Sequence, residues 1–176
     1  MSAKVVSKED QLITLDRMRY IKNKASSNLT LLAILFDVFY FVNLYRSDVG
    51  TYYYTILIGA SIIYNLIFLL AAFLASEGVK TYNEKYCYIL IVLGVIQFVR
   101  IFIMPVSAHN AYIDIVNSVT REMESVQVMK TGQFLRQVIY LCISGACCLA
   151  AAYIGIVRSR KLKAYEATLG EEKRRD

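Results

Sequence analysis

The chain has 176 residues, of which 57% are hydrophobic and only 19% charged. Its mean hydropathy is +0.44, too apolar for an ordinary soluble domain. It carries 20 Lys and Arg against 14 Asp and Glu, a net charge of +6, and its pI is about 9.1. A basic balance of that size raises nucleic acid as a partner. Here, however, the basic residues flank apolar runs, where topology and anionic lipid account for them. Zinc spacing, an aromatic RNA platform and a helix-turn-helix pattern are all missing. The partner expected from composition is the lipid bilayer, not nucleic acid.

Residues 1–27 form a basic arm, expected to be helical from about Lys8. Its apolar residues Leu12, Leu15, Met18 and Ile21 step by three and so drift around a helix. Its end, RMRYIKNK, is suited to lipid headgroups. Four apolar runs follow, at about 28–45, 54–75, 86–106 and 135–157. Each is close to the ~20 residues needed to cross ~30 Å of hydrocarbon. The fold class is therefore all-α, an integral membrane bundle of four transmembrane helices filling residues 28–157, with a charged tail at 158–176.

The first run contains LLAILFDVFYFVNLY, with Asp37 at its centre. A turn is expected at RSDVGTYYY, where Asp48 and Gly50 suit a reversal and three tyrosines suit a membrane interface. The second run holds Asn65 and no charge over 55–75. The third brings Gln97 and Arg100 and is expected to end at Pro105. In the long connection 107–134, Tyr112, Val116, Val119, Met123 and Val126 recur at 4-3-4-3 spacing, which predicts an extra amphipathic helix of about four turns. The fourth run presents two ridges of small residues, Ser144, Cys148 and Ala152 beside Cys147, Ala151 and Gly155. Such ridges let helices approach closely in lipid, within the chain or against another subunit.

Lys and Arg set the expected orientation. Fifteen lie in the arm, the 76–85 connection and the tail, and four lie in the other two connections or at their edges. The positive-inside rule then places both termini in the cytoplasm of a multi-pass cell-membrane protein. The short loops and the lack of an outer N-x-S/T sequon favour a bacterial cytoplasmic membrane.

The sequence offers little chemistry. Cys87, Cys142, Cys147 and Cys148 lie in or beside apolar spans without a C-x-x-C, and His109 is the single histidine. Neither a metal site nor a thiol redox motif is supported. Phosphate loops, nucleophile elbows and zinc-protease motifs are also missing, so no cofactor is assigned and an enzyme is not expected.

Asp37 lies nine residues into its span, ~14 Å from the basic edge, and Arg100 lies 14 residues into its own, ~21 Å from that edge. The ~7 Å offset is within reach of an arginine side chain. An unpaired charge at such depth costs at least ~2.5–3.5 kcal/mol, so Asp37, Arg100, Asn65 and Gln97 form a candidate intramembrane polar cluster. The expected function is a non-catalytic accessory or assembly subunit, contacting another membrane protein or a second copy through the fourth span and the outer helix. The alternative is a small proton- or cation-coupled transporter or channel using Asp37 and Arg100.

Overall fold

The computed structural model describes residues 8–45, 52–116 and 123–175. Helix α1 (Lys8–Tyr20) leads through a short bend into α2 (Lys24–Tyr45). Helix α3 (Tyr52–Lys80) returns, and α4 (Glu84–Ile101) runs in the same sense as α2, packing on α6 and α3 more than on α2. A π-turn (Phe102–Val106) and the short α5 (Ser107–Asn110) continue α4, after which come β1 (Tyr112–Val116), β2 (Met123–Gln127) and α6 (Thr131–Arg175). Four of these segments are long and apolar enough to cross a membrane: Lys24–Asn43, Ile56–Lys80, Glu84–Asn110 and Thr131–Leu169. The protein is a multi-spanning α-helical membrane protein, as its apolar runs lead one to expect.

Burial follows the rule for a bilayer. Large side chains on the outside are apolar, among them Ile63, Leu66, Leu70, Val95, Val99 and Ile139. The interior carries Asn23, Ser26, Ser27, Thr30, Asp37, Ser61, Asn65, Ser76, Gln97, Arg100, Gln137, Ser144 and Ser159. A soluble bundle would leave those Ile, Leu and Val side chains in water. Hydrocarbon removes that cost, and the backbone satisfies its own polar groups within each helix.

Helix α6 packs most extensively against α2 and α4, while α3 lies against α2 and more loosely against α4. The small residues of α6 are used within the chain. Cys148, Ala151 and Ala152 belong to the main apolar core with Ala33, Phe68 and Leu90. Ser26 Oγ donates to Ala151 O at 2.6 Å. A Cβ built on Gly155 would meet Cys87 Sγ at 2.5 Å. Gly145 and Gly94, which the two ridges leave out, mark a close crossing of α6 and α4: a Cβ on Gly145 would lie 2.8 Å from the Phe98 ring and 3.2 Å from Gly94 O.

Two sequence expectations change. Pro105 does not end the third span; it sits inside the π-turn, and the helical path continues to Asn110. The wider turn accommodates a residue that lacks an N–H and clashes with the preceding turn. The amphipathic helix expected across 112–126 is also not what the described residues form: 112–116 and 123–127 are β1 and β2, paired antiparallel with Asp114 opposite Ser125. Ser125 Oγ donates to Asp114 Oδ1 across the strands at 2.6 Å. Residues 112–116, YIDIV, are rich in Ile and Val, which favour a pleated surface. The 4-3-4-3 spacing depended on Val119, which lies outside the described residues, as does the 46–51 part of the expected turn.

The hairpin docks on the end of the bundle. Val128 N donates to Ala111 O at 3.0 Å, and Val128 and Met129 pack with Ala108 against Leu57 and Phe134. His109 belongs to this clasp, its ring stacked on Phe134 at 4.4 Å and its Nδ1 3.1 Å from Met129 O.

The opposite end is pinned by polar contacts. Asn83 caps α4, its side chain accepting from Lys85 N at 3.1 Å. Tyr82 before it has φ 56°, a left-handed conformation uncommon for a bulky residue. It is held by two contacts: its hydroxyl donates to Ile21 O at 3.0 Å, and its carbonyl accepts from Ser159 Oγ. Burial pushes the Tyr82 phenol up from its ordinary value, against the opposing pull of Arg158, so it keeps its donor hydrogen at neutral pH.

Because the α4–α6 crossing has no room for a side chain, Gly145→Leu should destabilise the bundle by about 1–3 kcal/mol. Gly59→Leu, at a position with nothing within 4 Å, should leave thermal unfolding in detergent nearly unchanged.

Candidate functional site

The candidate site lies where the four spans meet. Helices α2 and α4 both start at the end of the bundle that carries the two described termini. Side chains on a helix lean toward its N-terminus. Arg100, the deeper residue by sequence offset, therefore reaches back along α4 toward the level of Asp37. Arg100 Nη1 lies 3.1 Å from Asp37 Oδ1. Asp37 is fully buried and Arg100 is 6% exposed.

The surrounding side chains satisfy much of this pair. Gln97 Nε2 donates to Asp37 Oδ1 at 2.9 Å, and Gln97 Oε1 accepts from Arg100 Nη1 at 3.3 Å. Gln97 and Arg100 are three residues apart, one helical turn, so a single face of α4 supplies both. Arg100 Nη2 donates to Ser61 Oγ of α3 at 2.8 Å. Ser144 Oγ of α6 accepts from Gln97 Nε2 at 3.3 Å and donates to Ala33 O at 2.9 Å. The guanidinium is also flanked by two aromatic rings, Tyr40 at 4.4 Å and Tyr64 at 4.5 Å from their centroids. Each such contact contributes about 0.5–2 kcal/mol, more when desolvated.

Of the four residues in the sequence-level cluster, Asp37, Gln97 and Arg100 come together by hydrogen bonds. Asn65 is buried at 1% exposure, but neither of its amide atoms has a hydrogen-bond partner among the described residues. It sits one turn from Ser61 on the same face of α3, and Ser61 makes the bond to Arg100 instead. Ser61, Tyr40 and Tyr64 are not visible as site residues in sequence, since serines and tyrosines are scattered through all the spans. Their signal is positional: Tyr40 lies a turn from Asp37, Ser61 a turn from Asn65, and Tyr64 a turn from Ser61.

Several buried polar atoms around the pair have no hydrogen-bond partner among the described residues: Asp37 Oδ2, the Tyr40 and Tyr64 hydroxyls, and both side-chain atoms of Asn65 and Gln137. Buried polar groups ordinarily find partners, and leaving one unmade costs about 1–3 kcal/mol. Other buried polar groups lie above and below this level, separated from the pair by the apolar core that includes Ala33, Phe68, Ala72, Leu90 and Leu93. At the terminal end Arg158 Nη1 donates to Asn23 Oδ1 at 2.8 Å. Ser27 and Ser76 follow, their hydroxyls 2.7 Å apart, with Thr30 bonded to Ser26 O at 3.0 Å. Asn65, the ion pair and Ser144 come next, and Gln137 lies two turns beyond Ser144 toward the hairpin. A cavity of about 190 Å³ in the α3–α4 seam reaches Arg100, Ser61 and Tyr64 between walls that include Leu57, Val99 and Ile103.

Chemically, the arrangement holds one carboxylate, with one oxygen lacking a hydrogen-bond partner among the described residues, beside a fixed cation and uncharged polar side chains. Protein-family models, curated proteins and solved structures provide no match to this chain.

If Asp37 and Arg100 depend on one another, removing either partner strands a buried charge. Asp37→Asn or Arg100→Leu alone should cost about 3–5 kcal/mol, and the double variant should cost clearly less than the sum. Thermal unfolding of the three purified variants in one detergent measures this, and strict additivity would mean the pair is not energetically coupled.

Proposed function

We propose that the protein is a small proton-coupled transporter or channel in which Asp37 takes up and releases a proton and Arg100 sets how readily it does so. The observation that carries this reading is the bare Asp37 Oδ2, buried and without a hydrogen-bond partner among the described residues. Its sister oxygen is held by Gln97 and Arg100. A carboxylate serving only as a structural tie would be expected to have both oxygens satisfied. Intramembrane acids facing a bundle interior mark ion or proton pathways more often than not. The cavity beside Arg100 and Ser61 brings space to within reach of the pair, through which water and protons can approach.

The competing reading, a non-catalytic accessory or assembly subunit, drew on two free contact surfaces. The small-residue face of α6 is occupied by α2 and α4, and the outer amphipathic stripe is replaced by a docked hairpin. Weight therefore moves to the transport reading, which needs no catalytic turnover. Both termini are assigned to the cytoplasm, because the ends of α1 and α6 and the Lys80–Lys85 connection carry most of the Lys and Arg.

Purified protein in liposomes with an internal pH dye should dissipate an imposed pH gradient faster than empty liposomes. Asp37→Asn should remove that flux, and Asp37→Glu should keep part of it. Flux indifferent to Asp37→Asn sinks the transport reading, while no flux at all together with co-purification of a defined membrane complex favours the subunit role. For topology, a phosphatase active only outside the cytoplasm should be silent when fused to either terminus.

A further inference from the structure

The cavity of about 190 Å³ in the α3–α4 seam is open on one side. Ala60, Val99 and Ile103 line it and are also exposed on the outside of the bundle, the last two at 50% and 55%. Both walls belong to membrane-spanning segments, Ile56–Lys80 and Glu84–Asn110, so the opening faces hydrocarbon and not water. Apart from Ser61, Tyr64 and Arg100, the lining is apolar. A cavity of about 150 Å³ suffices to take up benzene. This one therefore has room for an aromatic ring and a small polar group.

The polar end of the cavity selects that group. Among the described residues, Asp37, Gln97 and Ser61 each accept one bond from Arg100. A guanidinium has further N–H donors and no acceptor. Tyr64, on the same helix as Ser61, carries a hydroxyl without a hydrogen-bond partner among the described residues. What this end lacks is an acceptor, and a planar carboxylate matches a guanidinium best. A phosphate ester carries up to about two charges, more than one arginine balances. A carboxylic acid has a second advantage: once protonated, it travels through hydrocarbon as a neutral molecule.

Charge decides when such a molecule is held. Arg100 supplies one positive charge, which Asp37 already balances. A second carboxylate is tolerated only when Asp37 is neutral. We propose that the cavity binds a compact lipophilic carboxylic acid, which enters from the hydrocarbon, gives its proton to Asp37 and stays as a carboxylate on Arg100. The O–H bond of the acid breaks, an O–H bond forms on Asp37 Oδ2, and the site holds one cation and one anion before and after. This exchange rests on the reading of Asp37 as a proton-exchanging group and adds the class of substrate. Besides Arg100, the titratable groups facing Asp37 are Tyr40 of its own helix, Tyr64 of α3 and Cys148 of α6. Tyrosines and cysteines ordinarily ionise above about pH 8, so Asp37 is the group that exchanges below it.

The test follows para-fluorobenzoate binding to the purified full chain in detergent by fluorine NMR, with para-fluoroacetophenone as the uncharged comparison of similar size. The ionised acid must bind together with one proton, so its affinity should fall about tenfold per pH unit between about pH 6 and about pH 8. Asp37→Asn, neutral at every pH, should remove that dependence and bind at least about tenfold more tightly at the upper end. The carboxylate then supplies the counter-charge that Arg100 lacks, so it should raise the unfolding temperature of this variant more than that of the unmodified chain. Ala60→Phe fills the cavity, leaves both members of the ion pair in place and should weaken binding at least about tenfold. Gly59→Leu, next to it with nothing within 4 Å, should change binding less than about twofold. If Asp37→Asn does not fold, the pH profile of the unmodified chain and the Ala60→Phe comparison decide alone. Equal binding by Ala60→Phe and Gly59→Leu, equal affinity for the ketone, or an affinity indifferent to pH overturns the site. The liposome assay separates this outcome from the transport reading. Proton flux without para-fluorobenzoate binding overturns the acid as substrate and keeps proton transport. Binding with the expected pH profile but without flux supports the site and overturns the transporter.

Discussion

The structure depends on the cost of placing charge inside hydrocarbon. A single ion at that depth is costly enough to neutralise or to pull water inward. Asp37 and Arg100 are tolerated because each supplies the other's counter-charge and the neighbouring spans supply the remaining contacts. Gln97 bridges the two, Ser61 holds the far side of the guanidinium, and Tyr40 and Tyr64 flank its faces. All four spans must be in register for this to happen. The pair therefore specifies the arrangement of the bundle while contributing little net stability of its own, a common balance for buried ion pairs.

Around that centre, two kinds of packing divide the work. Small residues on α6 and α4 let those helices touch backbone to backbone, and dispersion rather than hydrophobic exclusion holds them together in lipid. Hydroxyls and amides on α2, α3 and α6 then hydrogen-bond across the crossings, as Ser26 does to Ala151 and Ser144 to Ala33. The ends are closed differently. A hairpin and the His109–Phe134 stack cover one, while Tyr82, Asn23 and Arg158 tie the other.

The spans were legible because apolar length is a direct demand of bilayer thickness. The Asp37–Arg100 pairing was legible for a related reason: a charge in hydrocarbon needs a partner, and Arg100 was the one basic residue well inside a span. Asn65 was legible as buried but not as unbonded, since one turn of α3 decides whether Ser61 or Asn65 meets the guanidinium. The hairpin was misread because Val and Ile at mixed spacing satisfy a helical period and a strand alternation at once over a short segment. The internal use of the small-residue ridges could not be read at all, because the same ridge serves either an intrachain or an intersubunit contact.

Helix α6 runs without a break from Thr131 to Arg175, 45 residues or ~68 Å at the usual rise. Ser144, in contact with the ion pair through Gln97, and Leu169, near the far end, are thus parts of one rod ~37 Å apart. A tilt of about 5° about Ser144 would sweep Leu169 through ~3 Å. The rod thereby joins the level of Asp37 to the region outside the bundle, and the ties of Arg158 to Asn23 and Ser159 to Tyr82 O are what hold its angle.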